Sequence, residues 1–392
     1  MDRGKPQRGR SRPSTRTAAT RRCPMRAAVV YQAGAPIDVV EFTSGSVGPH
    51  DVRVRVGASG LCHSDVAVQT GDLPFPLPMI LGHEGAGVVE EIGADVTTCQ
   101  VGDHVVLSAL IHCGVCRNCL KGRPNLCSAN LDLTFPGTDA ADGATRMADS
   151  QGRGLYQFSA IGTLSEELVC NERRAIPIPK DVPLEVAAMT GCGVLTGTSA
   201  VFNRAKVQPG STVVVIGCGG VGLNVIQGAV LAGASMIIGV DLHEDKLAMA
   251  QGFGATNLVK NESAEATVAQ IFELTGGEGA DYAFEVVGIP ALVRLGWDCL
   301  RQDGTVVAIG VQAAGALTEL PGLEFCMTEK TLMGCVYGTS RPTADIPMLV
   351  EMYRQGQLEI EKLITHRFDL EEINGAVDKM EDGHNARGVV VF

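Results

Sequence analysis

The sequence has few aromatic residues and no long hydrophobic run, and both absences narrow what the chain can be. Aromatic side chains make up 4% of its 392 residues, with a single tryptophan, whereas hydrophobic residues make up 45% and glycines number 48. This composition is typical of a globular protein with an aliphatic core and many turns. No run of about 18 apolar residues occurs, so we expect no membrane-spanning helix.

Positive charge is also scarce. Lys and Arg number 32 against 44 Asp and Glu, which gives a formal net charge of -12. Such a protein repels phosphate backbones, so we expect no nucleic-acid partner. The 13 cysteines are odd in number and no secretory signal is recognisable, which favours a cytoplasmic protein whose thiols bind metal instead of pairing.

The length indicates about two domains behind a basic tail, because 392 residues exceed one typical core. Residues 1–24 are rich in Lys, Arg, Ser and Thr, with Asp2 as the only acid, and this composition predicts disorder. The segment could be a nucleic-acid tail, an organellar transit peptide or an extension upstream of a start at Met25. We prefer the extension, because a strand-like run begins at Met25.

A compact cysteine cluster is the most specific local signal. Spacings of two, two and seven residues separate four thiols: Cys113, Cys116, Cys119 and Cys127. Four thiolates can close a tetrahedral shell around one zinc ion at about 2.3 Å, which leaves no position for a substrate. We therefore predict a structural zinc lobe at residues 111–128, against the alternative of ordinary buried thiols.

Cys62, His83 and Cys192 form a second candidate set, because two thiolates and one imidazole leave a fourth zinc position open. Taken singly, each is more often structural. Their surroundings are more specific: Gly60-Leu-Cys62-His-Ser64-Asp65, Gly82-His83-Glu84-Gly-Ala-Gly87 and Gly191-Cys192-Gly193. These motifs resemble the zinc-dependent alcohol dehydrogenases of the medium-chain dehydrogenase/reductase family, from about Met25 to Phe392.

Short alternating strands surround the first motifs. Val52, Val54 and Val56 alternate with polar residues, as in a half-buried strand, and similar strands are expected at residues 87–92 and 104–107. Frequent short strands predict a compact β barrel rather than parallel βαβ units. In the family this is the GroES-like catalytic domain, expected here at residues 25–195 with a return of the chain at 339–392.

A glycine fingerprint marks the second half. A strand-like run at residues 211–216 leads into Gly217-Cys-Gly219-Gly220-Val221-Gly222, an arrangement that directs backbone N–H groups at a pyrophosphate. Asp241 follows about twenty residues on, where a carboxylate binds ribose hydroxyls and repels a 2′-phosphate. Alternating strands and helices then predict an α/β, doubly wound parallel sheet, a Rossmann domain at residues 196–338. We expect it to bind NAD rather than NADP, with a sheet that binds no coenzyme as the alternative.

The resemblance also implies roles for single residues. Ser64 is expected to accept the alcohol proton, Asp65 to fix the tautomer of His83, and Glu84 to lie beside the catalytic zinc. Coenzyme contacts are expected from His63, Thr196, Val221, Lys246 and Arg387, together with the fingerprint glycines. The implied enzyme holds two zinc ions per chain, transfers a hydride from a small-molecule alcohol to NAD, and forms a homodimer or homotetramer.

The chain departs from the liver-type members at its substrate site. Ala67 stands where those enzymes have a proton-relay histidine, and Ala109 where they have a large aromatic residue. Leu131 stands where glutathione-dependent formaldehyde dehydrogenases have an arginine, which argues against a glutathione adduct. The other matching pocket positions are apolar: Leu73, Phe158 and Val311. We therefore expect bulky or aromatic primary alcohols as substrates.

Several alternatives share part of this pattern. A zinc-free quinone or enoyl reductase would lack Cys62, His83 and Cys192, and a polyol dehydrogenase usually has Glu where this chain has Cys192. A thiol-adduct formaldehyde dehydrogenase belongs to the same long branch of the family, which the segment 131–164 favours. A zinc-stabilised binding protein without activity is the most distant alternative.

Overall fold

The computed structural model describes residues 25–138, 143–383 and 386–392. The predictions made for residues 1–24 lie outside these ranges. In the part of the chain that is described, no helix is both long and apolar enough to cross a membrane.

Short strands dominate from Met25 to Ile178, and strands alternate with helices from Thr212 onward. The strands are β1 (Met25–Val30), β2 (Asp38–Ser44), β3 (Asp51–Leu61), β4 (Met79–Ile80), β5 (Glu84–Ile92), β6 (His104–Leu107), β7 (Met147–Asp149), β8 (Gly154–Gln157), β9 (Glu167–Asn171), β10 (Ala175–Ile178), β11 (Thr212–Ile216), β12 (Met236–Asp241), β13 (Asn257–Lys260), β14 (Ala280–Glu285), β15 (Leu300–Ala308), β16 (Thr331–Gly334), β17 (Ile364–Phe368) and β18 (Arg387–Val391).

The α-helices are α1 (His63–Thr70), α2 (Arg117–Leu120), α3 (Leu184–Met189), α4 (Gly193–Ser199), α5 (Gly220–Leu231), α6 (Glu244–Gly252), α7 (Ala264–Leu274), α8 (Pro290–Asp298), α9 (Gly322–Met327), α10 (Pro342–Arg354) and α11 (Ile373–Glu381). Short 3-10 turns lie at Pro124–Leu126, Phe158–Ala160, Glu172–Arg174, Tyr337–Thr339, Glu361–Leu363 and Leu370–Glu372, and π turns at Asn130–Thr134 and Ala200–Ala205.

The first half of the chain forms a closed barrel and an adjoining sheet, which confirms the predicted GroES-like β architecture. Strands β1, β2, β7, β8 and β4 close the barrel, and β10, β6, β5, β3, β18 and β17 follow one another in the sheet, with β9 paired to β3. Strand β3 differs from a simple alternating strand, because Arg53 is buried as well as its valine neighbours. The buried carboxylate of Glu167 lies 2.7 Å from the Arg53 guanidinium and offsets part of its desolvation.

The end of the chain returns to this sheet. Strand β18 pairs antiparallel with β3, so that Gly388 lies opposite Leu61. This pairing brings Arg387 beside the strand end that leads into Cys62.

The middle of the chain forms a six-stranded parallel sheet in the order β13, β12, β11, β14, β15, β16. Numbered along the chain, this is the order 3-2-1-4-5-6 of a dinucleotide-binding Rossmann sheet, as the sequence predicted. The glycine fingerprint follows β11, next to the point where the strand order reverses, and ligands of such sheets bind at that point.

Two strands of this sheet end before the apolar residues that follow them in the sequence. Strand β14 ends at Glu285, because the side-chain oxygen of that residue accepts from the N–H groups of Val287 and Gly288 at 2.8 and 2.7 Å and folds the chain into a turn. Strand β15 ends at Ala308. The following Gly310 lies so close to Gly288 that a Cβ on it would meet the Gly288 nitrogen at 2.0 Å.

Helix α4 connects the two halves and is buried along its whole length. The predicted boundary between residues 195 and 196 falls inside this helix. A Cβ on Gly197 would meet the Val221 carbonyl at 2.5 Å, so only a glycine allows α4 to approach α5 this closely. One continuous core cluster therefore extends from the sheet that contains β3, β5 and β6 to the parallel sheet.

Candidate active site and metal centres

The four lobe cysteines converge as the spacing predicted. Their sulfur atoms all lie within 4.8 Å of one another, and those of Cys116 and Cys127 are 3.9 Å apart. A zinc ion with four thiolates at about 2.3 Å needs sulfur–sulfur edges of about 3.8 Å. The geometry of these four residues therefore fits a tetrahedral zinc site.

The lobe supports its own thiolates with backbone donors. The Cys116 N–H donates to the Cys113 sulfur at 3.3 Å, and the Cys113 N–H donates to the Cys127 sulfur at 3.3 Å. Donors from Cys119 and Ser128 lower the pKa of the Cys116 thiol to about 5. Since a thiolate is the ligand form, this backbone arrangement favours metal binding.

A second group of possible ligands comes from three separate places in the fold. Cys62 follows β3, His83 precedes β5, and Cys192 is the residue before α4. Their ligand atoms, with a carboxylate oxygen of Glu84, lie within 4.8 Å of one another. This group is far more enclosed than the lobe, and three protein ligands would leave one position for a reacting oxygen.

Asp65 orients this second group. Its carboxylate, which is wholly buried, accepts from the N–H of Cys62 at 3.0 Å and from the N–H of Gly82 at 2.9 Å. The same carboxylate lies 3.3 Å from Nδ1 of His83, which leaves Nε2 free to face a metal. Burial acts to lower the pKa of His83, but the Asp65 and Cys62 charges outweigh it and the pKa is raised well above its ordinary value.

Glu84 and Arg387 form a buried ion pair behind the second group. One Glu84 oxygen accepts from the Gly193 N–H at 3.2 Å and lies 3.1 Å from the Arg387 guanidinium. The other oxygen is buried without a hydrogen-bond partner. Burial raises the pKa of Glu84 to about 7, although Arg387 acts in the opposite direction.

Arg387 also reaches the glycine fingerprint, so it joins the second metal group to the fingerprint loop. A Cβ on Gly220 would meet its Nε at 2.2 Å. The guanidinium additionally donates to the Leu61 carbonyl at 3.3 Å. The resemblance implied a coenzyme contact for this residue, and the structure adds the Glu84 contact, which the sequence did not indicate.

Ser64 and His63 begin helix α1, directly after Cys62. The Ser64 hydroxyl is half-buried and lies 3.9 Å from the Cys62 sulfur. His63 is exposed and lies within electrostatic range of Arg387 and Lys246. The serine thus lies beside the second metal group, and the histidine lies near two of the residues from which coenzyme contacts are expected.

The glycine fingerprint has the shape that a pyrophosphate requires. Gly219 is the residue before α5, and no atom lies within 4 Å of the position of a Cβ on it, so a ligand can approach the backbone there. A Cβ on Gly222 would meet the Gly217 carbonyl at 1.8 Å, so only glycine permits this packing of helix on strand. The N-terminus of α5 is therefore open to an anion.

Asp241 lies at the end of β12, beside this loop. Its carboxylate accepts from the N–H of Cys218 at 2.7 Å and from the N–H of His243 at 3.0 Å. Lys246 follows on α6, and both side chains are half-buried. Thr196 is buried in α4, where its N–H donates to the Cys192 carbonyl at 2.7 Å. Of these residues, Asp241 is thus in direct contact with the fingerprint loop, through the N–H of Cys218.

The four predicted pocket residues lie in three different environments. Phe158 packs edge-on against His83, with ring centroids 5.0 Å apart at 73°, and shares an apolar cluster with Leu73. Ala109 is buried in a different cluster, the one that contains α4. Val311 lies beyond the end of β15 and is 64% exposed.

The sequence did not single out two phenylalanines that extend this aromatic surface. Phe75 meets Phe158 edge-on at 5.1 Å and stacks on Phe135 at 5.9 Å. In a chain with only 4% aromatic residues, three phenylalanines that meet beside one histidine are unusual. The available signal was the proline-rich stretch around Phe75, but nothing in it indicated His83 as a neighbour.

The family comparisons agree with this geometry. The description "Alcohol dehydrogenase GroES-like domain" matches residues 48–180, and "Zinc-binding dehydrogenase" matches residues 220–354. The fold and the site thus define a zinc-binding dehydrogenase. The chain belongs to the zinc-type alcohol dehydrogenase family.

Named relatives cover nearly the whole chain. Putative alcohol dehydrogenase D of Mycobacterium tuberculosis (strain ATCC 25618 / H37Rv) is 38% identical over 93% of this chain and 99% of the relative. The S-(hydroxymethyl)glutathione dehydrogenase of Paracoccus denitrificans is 38% identical over 94% of this chain and 99% of the relative.

Two solved structures resemble the fold closely. An alcohol dehydrogenase zinc-binding domain protein from Burkholderia ambifaria has a TM-score of 0.89 at 37% identity, covering 94% of this chain and 99% of that one. The benzyl alcohol dehydrogenase of Acinetobacter calcoaceticus has a TM-score of 0.87 at 34% identity, with the same coverage of both chains. The protein is thus an oxidoreductase that acts on small molecules.

Proposed function

We propose that this protein is a zinc- and NAD-dependent dehydrogenase that oxidises primary alcohols with bulky or aromatic groups, reversibly, to aldehydes. The observation that carries the substrate class is the aromatic surface beside His83. Phe158 lies edge-on to that imidazole and Phe75 lies edge-on to Phe158. An aromatic ring of a ligand that reached these side chains would gain about 0.5–1.5 kcal/mol for each edge-to-face or offset contact.

The residues around the second metal group support the chemistry. When bound, zinc would supply a Lewis acid that favours loss of the alcohol proton, and NAD would supply the hydride acceptor. Cys62, His83 and Cys192 would hold the metal, and Asp65 would hold His83 in one tautomer. Ser64 would relay the alcohol proton: its hydroxyl, which lies beside Cys62, would accept that proton and pass its own proton on toward solvent.

The outer proton path would not run through the position of Ala67, because a methyl group carries no proton. Of the two titratable residues next to Ser64, Asp65 is buried and His63 is exposed, so the proton would leave through His63.

NAD is proposed over NADP because of Asp241. Its carboxylate lies beside the fingerprint loop, where it would meet a 2′-phosphate with like charge. In Asp241→Gly, we expect the ratio of kcat/KM for NADP to kcat/KM for NAD to rise by roughly 10- to 100-fold, since like charges at an interface cost several kcal/mol. Glu244→Gln, which alters an exposed acid on the next helix, is the control. An unmodified enzyme that prefers NADP would contradict the assignment.

The substrate class is tested by comparing benzyl alcohol with ethanol. Each buried methylene-sized group is worth roughly 1–3 kcal/mol, so kcat/KM for benzyl alcohol should exceed that for ethanol by about 100-fold or more. In Ala109→Phe, the added ring should reduce this ratio. Ala109 is 5% exposed, so overpacking would cost about 1–3 kcal/mol, and Ala109→Val provides a milder step. Equal values for the two alcohols in the unmodified enzyme would refute the proposal.

A thiol adduct of formaldehyde is the second candidate, because a relative at 38% identity is named S-(hydroxymethyl)glutathione dehydrogenase. The sequence argues against it, since Leu131 replaces the arginine of those enzymes. S-(hydroxymethyl)glutathione belongs in the same assay with NAD. A kcat/KM above that for benzyl alcohol would favour the second candidate.

A further inference from the structure

The segment from Ser108 to Ile111 links β6 to the cysteine lobe, and side chains from distant parts of the chain hold its backbone. The Ile111 N–H donates to the Asn130 side chain at 2.8 Å, and the Ala109 carbonyl accepts from Arg174 at 3.0 Å. The Ala109 N–H donates to the hydroxyl of Tyr337 at 3.2 Å. The Ser108 N–H still donates to the backbone carbonyl of Arg174 at 2.8 Å, but from Ala109 to Ile111 these backbone groups are paired with side chains.

Tyr337 makes a second contact that connects this segment to the second metal group. Its hydroxyl donates to the carbonyl of Gly191, the residue before Cys192. A Cβ on Gly191 would meet the Leu107 carbonyl at 3.1 Å, so the loop before Cys192 lies directly against the end of β6. One hydroxyl thus bridges a candidate metal-ligand loop and the segment that bears Ala109.

The position of Tyr337 is itself tightly constrained. It begins the turn after β16, and Tyr337, Gly338 and Thr339 have φ of 52°, 67° and 54°. Residues other than glycine rarely adopt this left-handed conformation, so their surroundings must hold them there. The turn packs on α4, where a Cβ on Gly338 would meet the carbonyls of Leu195 and Thr196 at 2.8 and 2.9 Å. The ring of Tyr337 is 8% exposed.

We infer that Tyr337 is a positioning residue, whose hydroxyl sets the placement of Cys192 relative to Ala109 and joins both to the end of the parallel sheet. The ring fills the core, and a phenylalanine could do the same. The hydroxyl has a separate role, because without it the Ala109 N–H and the Gly191 carbonyl are buried without this partner. Only the expected effects on catalysis rest on the proposed function; the positioning role does not.

The test compares Tyr337→Phe with Tyr353→Phe, which removes a surface hydroxyl that donates to Glu361. Cobalt(II) is exchanged into both cysteine sites, and the visible absorption bands are recorded. The thiolate-only lobe serves as an internal reference for the site with an imidazole ligand. We expect Tyr337→Phe to shift the bands of the Cys62, His83 and Cys192 site and to leave the lobe bands unchanged.

Kinetics provide the second readout. Partners of metal ligands typically contribute about 10- to 100-fold to activity or metal affinity, so kcat for benzyl alcohol should fall by about tenfold or more in Tyr337→Phe. The ratio of kcat/KM for benzyl alcohol to that for ethanol should change as well, since the Ala109 segment moves. A variant that loses thermal stability but keeps the bands, kcat and this ratio would overturn the inference.

The outcomes separate this inference from the proposed function. If the unmodified protein oxidises no alcohol with NAD, the proposed function fails, while the cobalt bands still decide the role of Tyr337. If Tyr337→Phe does not fold, 3-fluorotyrosine at position 337 replaces it, because fluorination makes the hydroxyl a stronger donor without removing it. Shifted bands of the second site would then support the inference, and unchanged bands would overturn it.

Discussion

The two cysteine-bearing sites differ in how much of the fold each one needs. The lobe ligands lie within residues 113–127 and are supported by N–H groups of the same loop. The second group spans residues 62–192 and depends on buried side chains from other elements, above all Asp65 and Glu84. A metal site built from one loop can form from local geometry, whereas the second requires the completed fold.

The two sites also differ in how far their residues are buried. Three of the four lobe cysteines are partly exposed, and backbone donors lower the pKa of Cys116 to about 5. In the second group, Cys62 and Cys192 are also partly exposed, but His83 is 4% exposed and Glu84 and Asp65 are wholly buried. In such an enclosed site, electrostatic interactions are stronger than in water, which suits reaction chemistry better than structural support.

Removal of a ligand from the second site should have the largest effect on activity. We expect Cys62→Ala to lower the zinc content from two ions per chain to one and to reduce kcat by roughly 10³-fold or more, since a Lewis acid contributes several kcal/mol. Metal analysis and alcohol oxidation with NAD measure both results. Cys99→Ala, which alters a half-buried thiol outside both sites, is the control. One zinc per chain in the unmodified protein would contradict the distinction between the sites.

Loss of the Asp65 charge should have a smaller effect, confined to the second site. Asp65→Asn keeps the size of the side chain but weakens its hold on His83, so we expect about a 10- to 100-fold loss in kcat or metal affinity. Zinc release to a chelator can be followed, with the lobe zinc as an internal reference. Asp72→Asn, at an exposed acid just after α1, is the control. Equal acceleration of release from both sites would show that the carboxylate has no specific role.

Removal of a lobe ligand should affect activity least and stability most visibly. A structural zinc contributes to folding free energy, so Cys116→Ser should lose one zinc and lower the Tm. The value of kcat/KM per folded molecule should stay within roughly threefold, because the lobe lies outside the second metal group. Ser128→Ala is the control. A loss of kcat/KM as large as in Cys62→Ala would mean that the two sites are not independent.

The contacts of Arg53 and Tyr337 illustrate what the sequence could not predict. The alternating valines of β3 suggested that Arg53 faces solvent, but Glu167, from β9, makes its burial possible. Tyr337 is distant in sequence from Gly191 and Ala109, and no spacing rule relates the three. Phe75 and Phe158 were likewise visible as apolar residues, but their contact depends on how the loops pack.

By itself, the sequence determined the features that arise within a short stretch of chain: the cysteine spacing of the lobe, the glycine fingerprint after β11, and the alternation of strands and helices that defines the parallel sheet. These features depend on local geometry, in which one residue's neighbours along the chain are also its neighbours in space. Only the tertiary structure decided the Glu84–Arg387 ion pair, the aromatic surface beside His83 and the bridging hydroxyl of Tyr337. Each of these requires elements far apart in the chain to pack together, because burial and the pairing of buried polar groups are properties of the completed core.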